Sequence, residues 1–441
     1  MLDRQRIWRL CLERFHHRFC CSDVPGGGKA LAFDPDLRLS PETFQVLWEK
    51  GGLERVFNHR LSTREAVSCF LGNVFHAWDA ARRPVEVPLS RLAEWRRWRR
   101  YCWGIPSTFP QIVAGLEGIG LVRIRRGFRM SEGCSGYTLA WATRRLYESC
   151  EVSSPRVVYC PTELVILKSK DGRLLDYRDT AFTTRLRNIL RRVNSVNQSS
   201  SILLGPYRVS AYLRAIFIDS FQLYGRLHTK GFLHYQGIPS QDRLRITIDG
   251  DPVIELDYCS LHLHLLYATQ VGHPPPGGPD PYGAIVSRCS KSLGYERELR
   301  EVVKKTFMCM INCDSMTKAE KAVSYWLRFR APSDIVAAVR DAAFPPHEAI
   351  RLILQQYKDL SPYFFSSPHN DRALRIMNLD SSIATEVVDH FGRRRKPILA
   401  VHDSFLVQEQ WQDELREVMH KSFMKKTRSP FPIPIHSSAA A

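Results

Sequence analysis

The chain has 441 residues, of which 44% are hydrophobic and 24% charged; this excludes a disordered polymer and a single small core, and predicts roughly two or three folded domains. Its 63 Lys and Arg against 45 Asp and Glu leave a net charge of +18, which favours a polyanionic partner, nucleic acid first. No apolar stretch approaches the roughly 20 residues that span a bilayer, the opening MLDRQRIWRLCLERF carries no cleavable apolar segment, and twelve Cys without a CxxC read as reduced thiols of a cytoplasmic protein with no membrane role.

The chain opens with CLERFHHRFCC, where His16, His17, Cys20 and Cys21 stand at helical i,i+4 spacing. Zinc can use such ligands, but no second ligand pair follows, and buried Cys with surface His is the ordinary reading. Further on, PSTFPQIVAGLEGIG (106–120) has a helix start signal, Ile112, Val113 and Leu116 on one face, and a closing Gly. LVRIRRGF then alternates, MSEGCSG turns, and YTLAWAT returns as a second strand. A helix followed by a hairpin is the order of a winged helix, so 1–152 are expected to form a winged-helix-like α/β module. Arg125 and Arg126 would lie on its wing, beside nucleic acid. Upstream, Arg96, Arg97, Arg99 and Arg100 interleave with Trp95, Trp98 and Trp103. Arg neutralises phosphates and aromatics stack on bases, although Trp at helical spacing is also common in cores.

SSPRVVYCP (153–161) reads as a connector, and YRDTAFTTRLRNILRRVNSVNQSS as a basic amphipathic helix ending in a polar loop. Arg185, Arg187, Arg191 and Arg192 lie along it, a solvated face or a grip on a duplex backbone. Residues 153–223 are therefore expected to be a basic helical linking or thumb-like region. From about Leu203 onward strands and helices mix, as in an α+β domain. The final IHSSAAA (435–441) reads as frayed.

Two apolar strands in this last region each carry an Asp. VIELDYCSLHLHLLYATQ contains Asp257, followed by His262 and His264 where strand turns to helix. PILAVHDSFLVQEQWQDELREVM contains Asp403 at a hairpin turn, with a helix beginning near Trp411. A buried carboxylate is costly unless paired, hydrogen-bonded or metal-bound. If the two strands are neighbours, the carboxylates repel and a pKa rises, unless cations sit between them. Two Mg²⁺ ions would answer that need and serve phosphoryl transfer. Between the strands, YERELREVVKKTFMCMIN places Arg300 and Lys304 four apart on one helical face, with Lys305 adjacent. Cations so spaced can hold the phosphates of a nucleoside triphosphate.

These residues, in order, resemble the palm and fingers of the family A DNA polymerases and the related single-subunit RNA polymerases. YGRLHTKGFLHYQGIPSQDR is similar to the family stretch in which GRL precedes QNIP and an Arg, matching Gly225, Arg226, Gln236, Ile238, Pro239 and Arg243. ELDYCSLHLHLLYA resembles motif A, RELREVVKKTFMCMIN motif B and AVHDSFLV motif C. The resemblance covers about 224–418. It implies a right-hand polymerase palm over 224–441, with fingers inserted at about 270–355.

The resemblance further implies that Asp257, Asp403 and the backbone carbonyl of Tyr258 bind two Mg²⁺, with Mn²⁺ an acceptable substitute. Arg300 and Lys304 would contact the triphosphate, with His262 at the sugar and Met308 under the incoming base. Arg226, Gln236, Arg243 and His402 would lie near primer terminus or template. The departures are His262 in place of a Glu, His264 in place of an Arg, Met308 in place of an aromatic, and Asn312-Cys313 in place of Tyr-Gly. HDSF is nearer to the RNA polymerase form of motif C. The expected activity is template-directed addition of nucleotides to a 3′-hydroxyl, DNA synthesis favoured. RNA or primase-like synthesis, template-independent addition, a non-catalytic nucleic-acid-binding protein with a degenerate palm, and a metallohydrolase using the HLH pair stay open.

Overall fold

The computed structural model describes residues 30–81, 83–87, 89, 100–101, 106–129, 135–136, 138–150, 157–160, 163–230, 233–289, 294–365 and 371–439. His16, His17, Cys20, Cys21, Trp95, Arg96, Arg97, Trp98, Arg99, Trp103 and the turn at 130–134 lie outside the described residues. Two compact units divide the chain: Met1–Ile166 with Leu174–Arg178, and Leu167–Arg173 with Asp179–Ala441.

In the first unit, helix Leu61–Ala81 runs through an apolar core that includes Leu47, Trp48, Phe70, Phe75 and Phe109. Helix Phe109–Gly118 has Pro in its first turn and buries Phe109, Ile112, Val113 and Leu116, the face its spacing predicts. An antiparallel pair follows, with Val122–Arg125 against Thr138–Ala142. Val122 is buried while Arg123 and Arg125 are exposed, as strand alternation requires. The sheet continues through Val85–Val87, antiparallel to Thr138–Ala142, to Leu31–Ala32, which runs parallel to Val85–Val87. Arg126, at the end of the strand, pairs with Glu117 at 3.2 Å on the surface.

The second unit is a mixed α/β structure around a curled, half-barrel sheet. Its strands run in the order Tyr207–Arg208, Ile202–Leu204, Ile246–Ile248, Asp251–Tyr258, Ser404–Gln408, Leu399–Val401. Asp251–Tyr258 is the central strand. It has Ser404–Gln408 along one edge and the C-terminal strand Ile435–Ala439 along the other, with Asp257 opposite Ser404 and His436 respectively. The expectation that 435–441 is frayed is thus corrected for Ile435–Ala439. Ladder hydrogen bonds come from the backbone, so even Ser and Ala can close the open edge of a buried strand.

Helix Ala181–Ser199 is the basic helix, begun by a reciprocal capping box between Thr180 and Thr183. The long helix Arg372–Arg393 packs against it, against strand Ser220–Lys230 and against helix Gln412–Thr427. Between the central strand and that long helix, the chain builds a second core on helix Glu296–Asn312, flanked by helices Met316–Phe329, Ser333–Asp341 and Pro346–Gln356. Leu299, Val302, Val303, Phe307 and Met310 form its buried stripe, so Arg300 and Lys304 fall outside that stripe. No helix among the described residues is long and apolar enough to cross a membrane.

Candidate active site

The central strand alternates, so Val253, Glu255 and Asp257 share one face. Its neighbour is the hairpin Leu399–Val401/Ser404–Gln408, joined by the two-residue turn His402-Asp403. His402 takes φ +59°, the left-handed conformation that the first position of such a turn uses. Asp257 is opposite Ser404, and the Tyr258 N–H donates to the Asp403 carbonyl at 3.3 Å. Two carboxylates 146 positions apart in sequence are thereby set side by side at one end of the sheet.

Both Asp side chains are half-buried, and both are pushed above the ordinary carboxylate range. Burial and then the charge of Asp403 raise Asp257 to about 8, against weaker relief from Lys304 and Arg243. Burial and then the charge of Asp380 raise Asp403. Ionising both carboxyls without a cation is therefore costly, and a divalent cation between them would favour the ionised pair. Among the described residues no three His, Cys, Asp or Glu side chains cluster to hold a metal by themselves. A cation here would rest on Asp257, Asp403 and backbone oxygen, the donor set the resemblance implies. Hard oxygen donors suit Mg²⁺ or Mn²⁺.

Asp380 is absent from the sequence-level candidates. It sits on helix Arg372–Arg393 with 2% of its surface exposed. Arg226 donates to it at 2.7 Å, and His262 Nε2 lies 3.5 Å away. Burial works to raise its pKa, but the His262 hydrogen bond and the Arg226 charge outweigh it, and the carboxyl is held below its ordinary value. His262 also meets Arg226 at 3.2 Å and, through Nδ1, the Met308 sulfur at 3.4 Å. One contact network thus joins Arg226, His262, Met308 and Asp380. The signal in the sequence was an acidic residue inside an apolar stripe, since Asp380, Ile383, Ala384, Val387 and Phe391 are all buried at helical spacing.

Strand Ser220–Lys230 presents Arg226. Its odd positions Leu223, Gly225, Leu227 and Thr229 are buried, and Arg226 and His228 lie on the other side. Tyr224 and Gly225 take φ +68° and +70° at an irregularity in the pairing. His228 stacks on Tyr224 and meets the His402 ring edge-on at 5.9 Å. Burial and the nearby His402 push His228 down to about 3. Burial and the Arg226 charge also lower His402, whose Nδ1 is buried without a hydrogen-bond partner among the described residues. Arg226 Nε and Ser260 Oγ are likewise buried and unpartnered there.

Gln236 and Arg243 form a scaffold beneath the carboxylates. The Gln236 carboxamide donates to the Leu227 and Ala400 carbonyls at 3.0 and 2.7 Å and accepts from the Thr229 N–H at 2.8 Å. It stitches strand Ser220–Lys230 to the hairpin Leu399–Val401/Ser404–Gln408. Arg243 grips Glu255 with two hydrogen bonds, at 2.6 and 3.2 Å, and donates to the Ile238 carbonyl. Ser404 Oγ donates to the same Glu255 carboxylate at 2.6 Å. Such a buried, bidentate pair fixes geometry more than it adds stability.

Lys304 is exposed and lies close enough to Asp257 to lower its pKa. Arg300, one turn earlier, has its Nε 2.9 Å from both Asp280 oxygens. The HLH pair divides, because His264 is buried and turned to the Ser260 carbonyl at 3.2 Å while His262 faces Asp380. Farther off, Arg185 is exposed on helix Ala181–Ser199, and Arg192 pairs with Asp389 at 2.8 Å. Arg125 and Arg126 belong to the first unit.

No family model matches this chain, and no curated protein is similar to it. Among solved structures it is similar to the POL domain of Pol1 from M. smegmatis, determined in complex with DNA primer-template and dNTP. The TM-score is 0.33 and the identity 15%, over 62% of this chain and 56% of that one. The match spans little more than half the length of that structure.

Proposed function

We propose that the second unit is a nucleotidyltransferase that extends the 3′-hydroxyl of a nucleic acid from nucleoside triphosphates, with a DNA template and DNA product. The observation that carries this reading is the convergence of Asp257 and Asp403 on paired strands, both with raised pKa and with Lys304 beside Asp257. Asp257, Asp403 and the Tyr258 backbone carbonyl would hold two Mg²⁺, or Mn²⁺ in their place. When bound, these ions supply Lewis-acid chemistry that favours a hydroxyl nucleophile and a pyrophosphate leaving group.

The protein's own groups bind and orient. Lys304, together with Arg300 once it leaves Asp280, binds the triphosphate where charge builds up. Asp380 holds Arg226 and His262 in place at the floor of the site, next to the sugar and the primer end. Met308 lies beside His262, with a flexible thioether where a base can rest. Gln236, Arg243 and Glu255 keep the strands in register. In the first unit, helix Phe109–Gly118 and the basic strand with Arg123 and Arg125 are read as a winged-helix-like grip on nucleic acid, and Arg185 and Arg192 as backbone contacts.

A labelled primer-template, incubated with Mg²⁺ or Mn²⁺ and either deoxyribonucleotides or ribonucleotides, tests the reaction. Extension is expected with the native protein and is expected to vanish in Asp403→Ala. A second reading, a nucleic-acid-binding protein with a silent palm, is favoured by the engagement of Arg226 and Arg300 by Asp380 and Asp280. Binding without extension on any primed or unprimed strand would establish it in place of the first.

A further inference from the structure

Seven large apolar side chains are exposed among the described residues, and Met316, Tyr325, Phe329 and Val336 bring four of them together within 316–336. Tyr325 and Phe329 are 57% and 56% exposed. They stand four apart on helix Met316–Phe329, so both rings lie on one face, with centroids 4.8 Å apart. The inner face of that helix is already filled by Ala319 and Val323, with Ala322, Trp326 and Leu327 packed against the core. The two outer rings are thus surplus to this core, and clustered exposed apolar surface of this kind marks an interaction site.

The surrounding charge identifies the partner. Lys321 precedes Tyr325 by one turn, Arg328 lies over the Phe329 ring at 5.1 Å, and Arg330 follows. All three are exposed and make no ion pair among the described residues. Lys318, one turn before Ala322, is instead satisfied by Asp314 at 2.6 Å. Aromatic faces flanked by uncompensated cations match the two chemical features of an unpaired nucleic-acid strand, π-faced bases and phosphates. A duplex offers the phosphates but keeps its base faces stacked inside.

We infer that the outer face of helix Met316–Phe329 is a stacking platform for single-stranded nucleic acid. Tyr325 and Phe329 receive bases, and Lys321, Arg328 and Arg330 hold the adjoining phosphates. None of its residues is among those assigned to the carboxylate site, and its role goes beyond the proposed reaction without depending on it.

The test is fluorescence anisotropy of the full-length protein, without nucleotide or metal, on a labelled oligothymidylate of about 20 nucleotides and on a blunt duplex of similar length. Tyr325→Ala/Phe329→Ala is expected to weaken single-strand binding about tenfold or more, with duplex affinity and thermal melting unchanged. Tyr325→Phe keeps the ring and is expected to bind as the native protein does. Lys321→Ser is expected to lower the salt dependence of single-strand binding by about 0.7 in the log–log slope. Unchanged single-strand affinity in the double alanine variant overturns the inference, as does an equal loss on both probes. Self-association of the native protein that the double variant abolishes would assign the patch to a second copy of the chain, and also overturns it.

Discussion

Arg226 and Asp380 stand 154 positions apart in sequence and form an ion pair of 2.7 Å, with only 16% and 2% of their side chains exposed. The pair ties strand Ser220–Lys230 to helix Arg372–Arg393 and sets a third carboxylate behind Asp257 and Asp403. Asp380 helps to raise Asp403, and Arg226 helps to offset that rise. The two residues thus stabilise the local fold and set the charge that the neighbouring Asp pair experiences.

Removing one partner of a buried pair leaves an uncompensated charge. Asp380→Ala is expected to destabilise the protein by about 3–5 kcal/mol. Asp380→Asn keeps an acceptor for Arg226 and should cost less. Because the folded pKa of Asp380 is depressed, its stabilising contribution is present above the ordinary carboxylate range and is lost as pH falls through the folded value. Urea melts of both variants, repeated from neutral to acid pH, measure this. A native-like midpoint for Asp380→Ala would show that the pair does not hold the fold.

Asp257 and Asp403 were legible in the sequence because each interrupts an apolar β run, and strand periodicity is a strong local signal. Arg300 and Lys304 were legible from their spacing, four apart on one helical face. Asp280 was not, and Asp380 left only the trace of an acidic residue in an apolar helical stripe, because what makes both matter is a partner brought near only by the fold. Gln236 and Arg243 were singled out by resemblance, yet their hydrogen bonds run to Ala400 and Glu255, so the structure gives them a bracing part that no local pattern displays. The pairing of Ile435–Ala439 escaped notice because ladder bonds come from the backbone and leave no side-chain signature.

For Asp257 the sign is opposite to that for Asp380. Its folded pKa is raised to about 8, so the folded state holds a proton that the unfolded chain gives up. In metal-free buffer, stability is expected to fall as pH rises from the ordinary carboxylate range through about 8, and to level off above it. A divalent cation that binds the ionised pair should reverse the loss, so that Mg²⁺ raises the melting temperature more at pH 8 than at pH 6. Asp257→Asn should flatten the pH dependence and remove the Mg²⁺ effect. Calorimetry with and without chelator makes the comparison, and a pH-independent response to Mg²⁺ would count against metal binding at this pair.

Arg300 has to leave Asp280 before it can hold a triphosphate. Their side chains are 30% and 47% exposed, so the contact is a partly solvated one worth about 1 kcal/mol or less. An anion as strong as a triphosphate can displace it. Asp280→Asn is expected to tighten nucleotide binding about two- to fivefold, and Arg300→Ala to weaken it whether or not Asp280 is present. Titration of a fluorescent nucleoside triphosphate into the three proteins reads both effects. Equal affinity in the native and Asp280→Asn proteins would mean that Arg300 does not reach the nucleotide.

His262 stands where the resembling DNA enzymes carry Glu, and a natural exchange would be His262→Glu. The structure argues that this variant places a carboxylate against Asp380 and removes a hydrogen bond that helps to keep Asp380 ionised. The expected result is a less stable protein before any change in sugar preference can be read. His262→Gln, which is neutral and can still donate, is the informative variant. If His262 faces the sugar, His262→Gln should shift the ratio of ribonucleotide to deoxyribonucleotide incorporation while leaving the melting temperature within a few degrees. An unchanged ratio removes the assignment.

Gly225 lets Arg226 reach Asp380. The strand passes against helix Arg372–Arg393 so closely that a Cβ on Gly225 would come within 2.8 Å of Ser381 Oγ, 2.9 Å of Asn378 Nδ2 and 2.9 Å of the Phe217 ring. Its φ of +70° adds a second reason for glycine. Ser381 and Asn378 cannot simply turn aside, because they donate to the Tyr224 and Phe221 carbonyls that fix this stretch to the helix. Gly225→Ala is therefore expected to cost about 1–3 kcal/mol through overpacking, and to push the strand away from the helix. Any such shift lengthens the Arg226–Asp380 contact, so the loss should be smaller in an Asp380→Asn background than in the native one. A double-mutant cycle by urea melting measures that coupling. Additive losses would mean that Gly225 serves packing alone, and that Arg226 finds Asp380 without it.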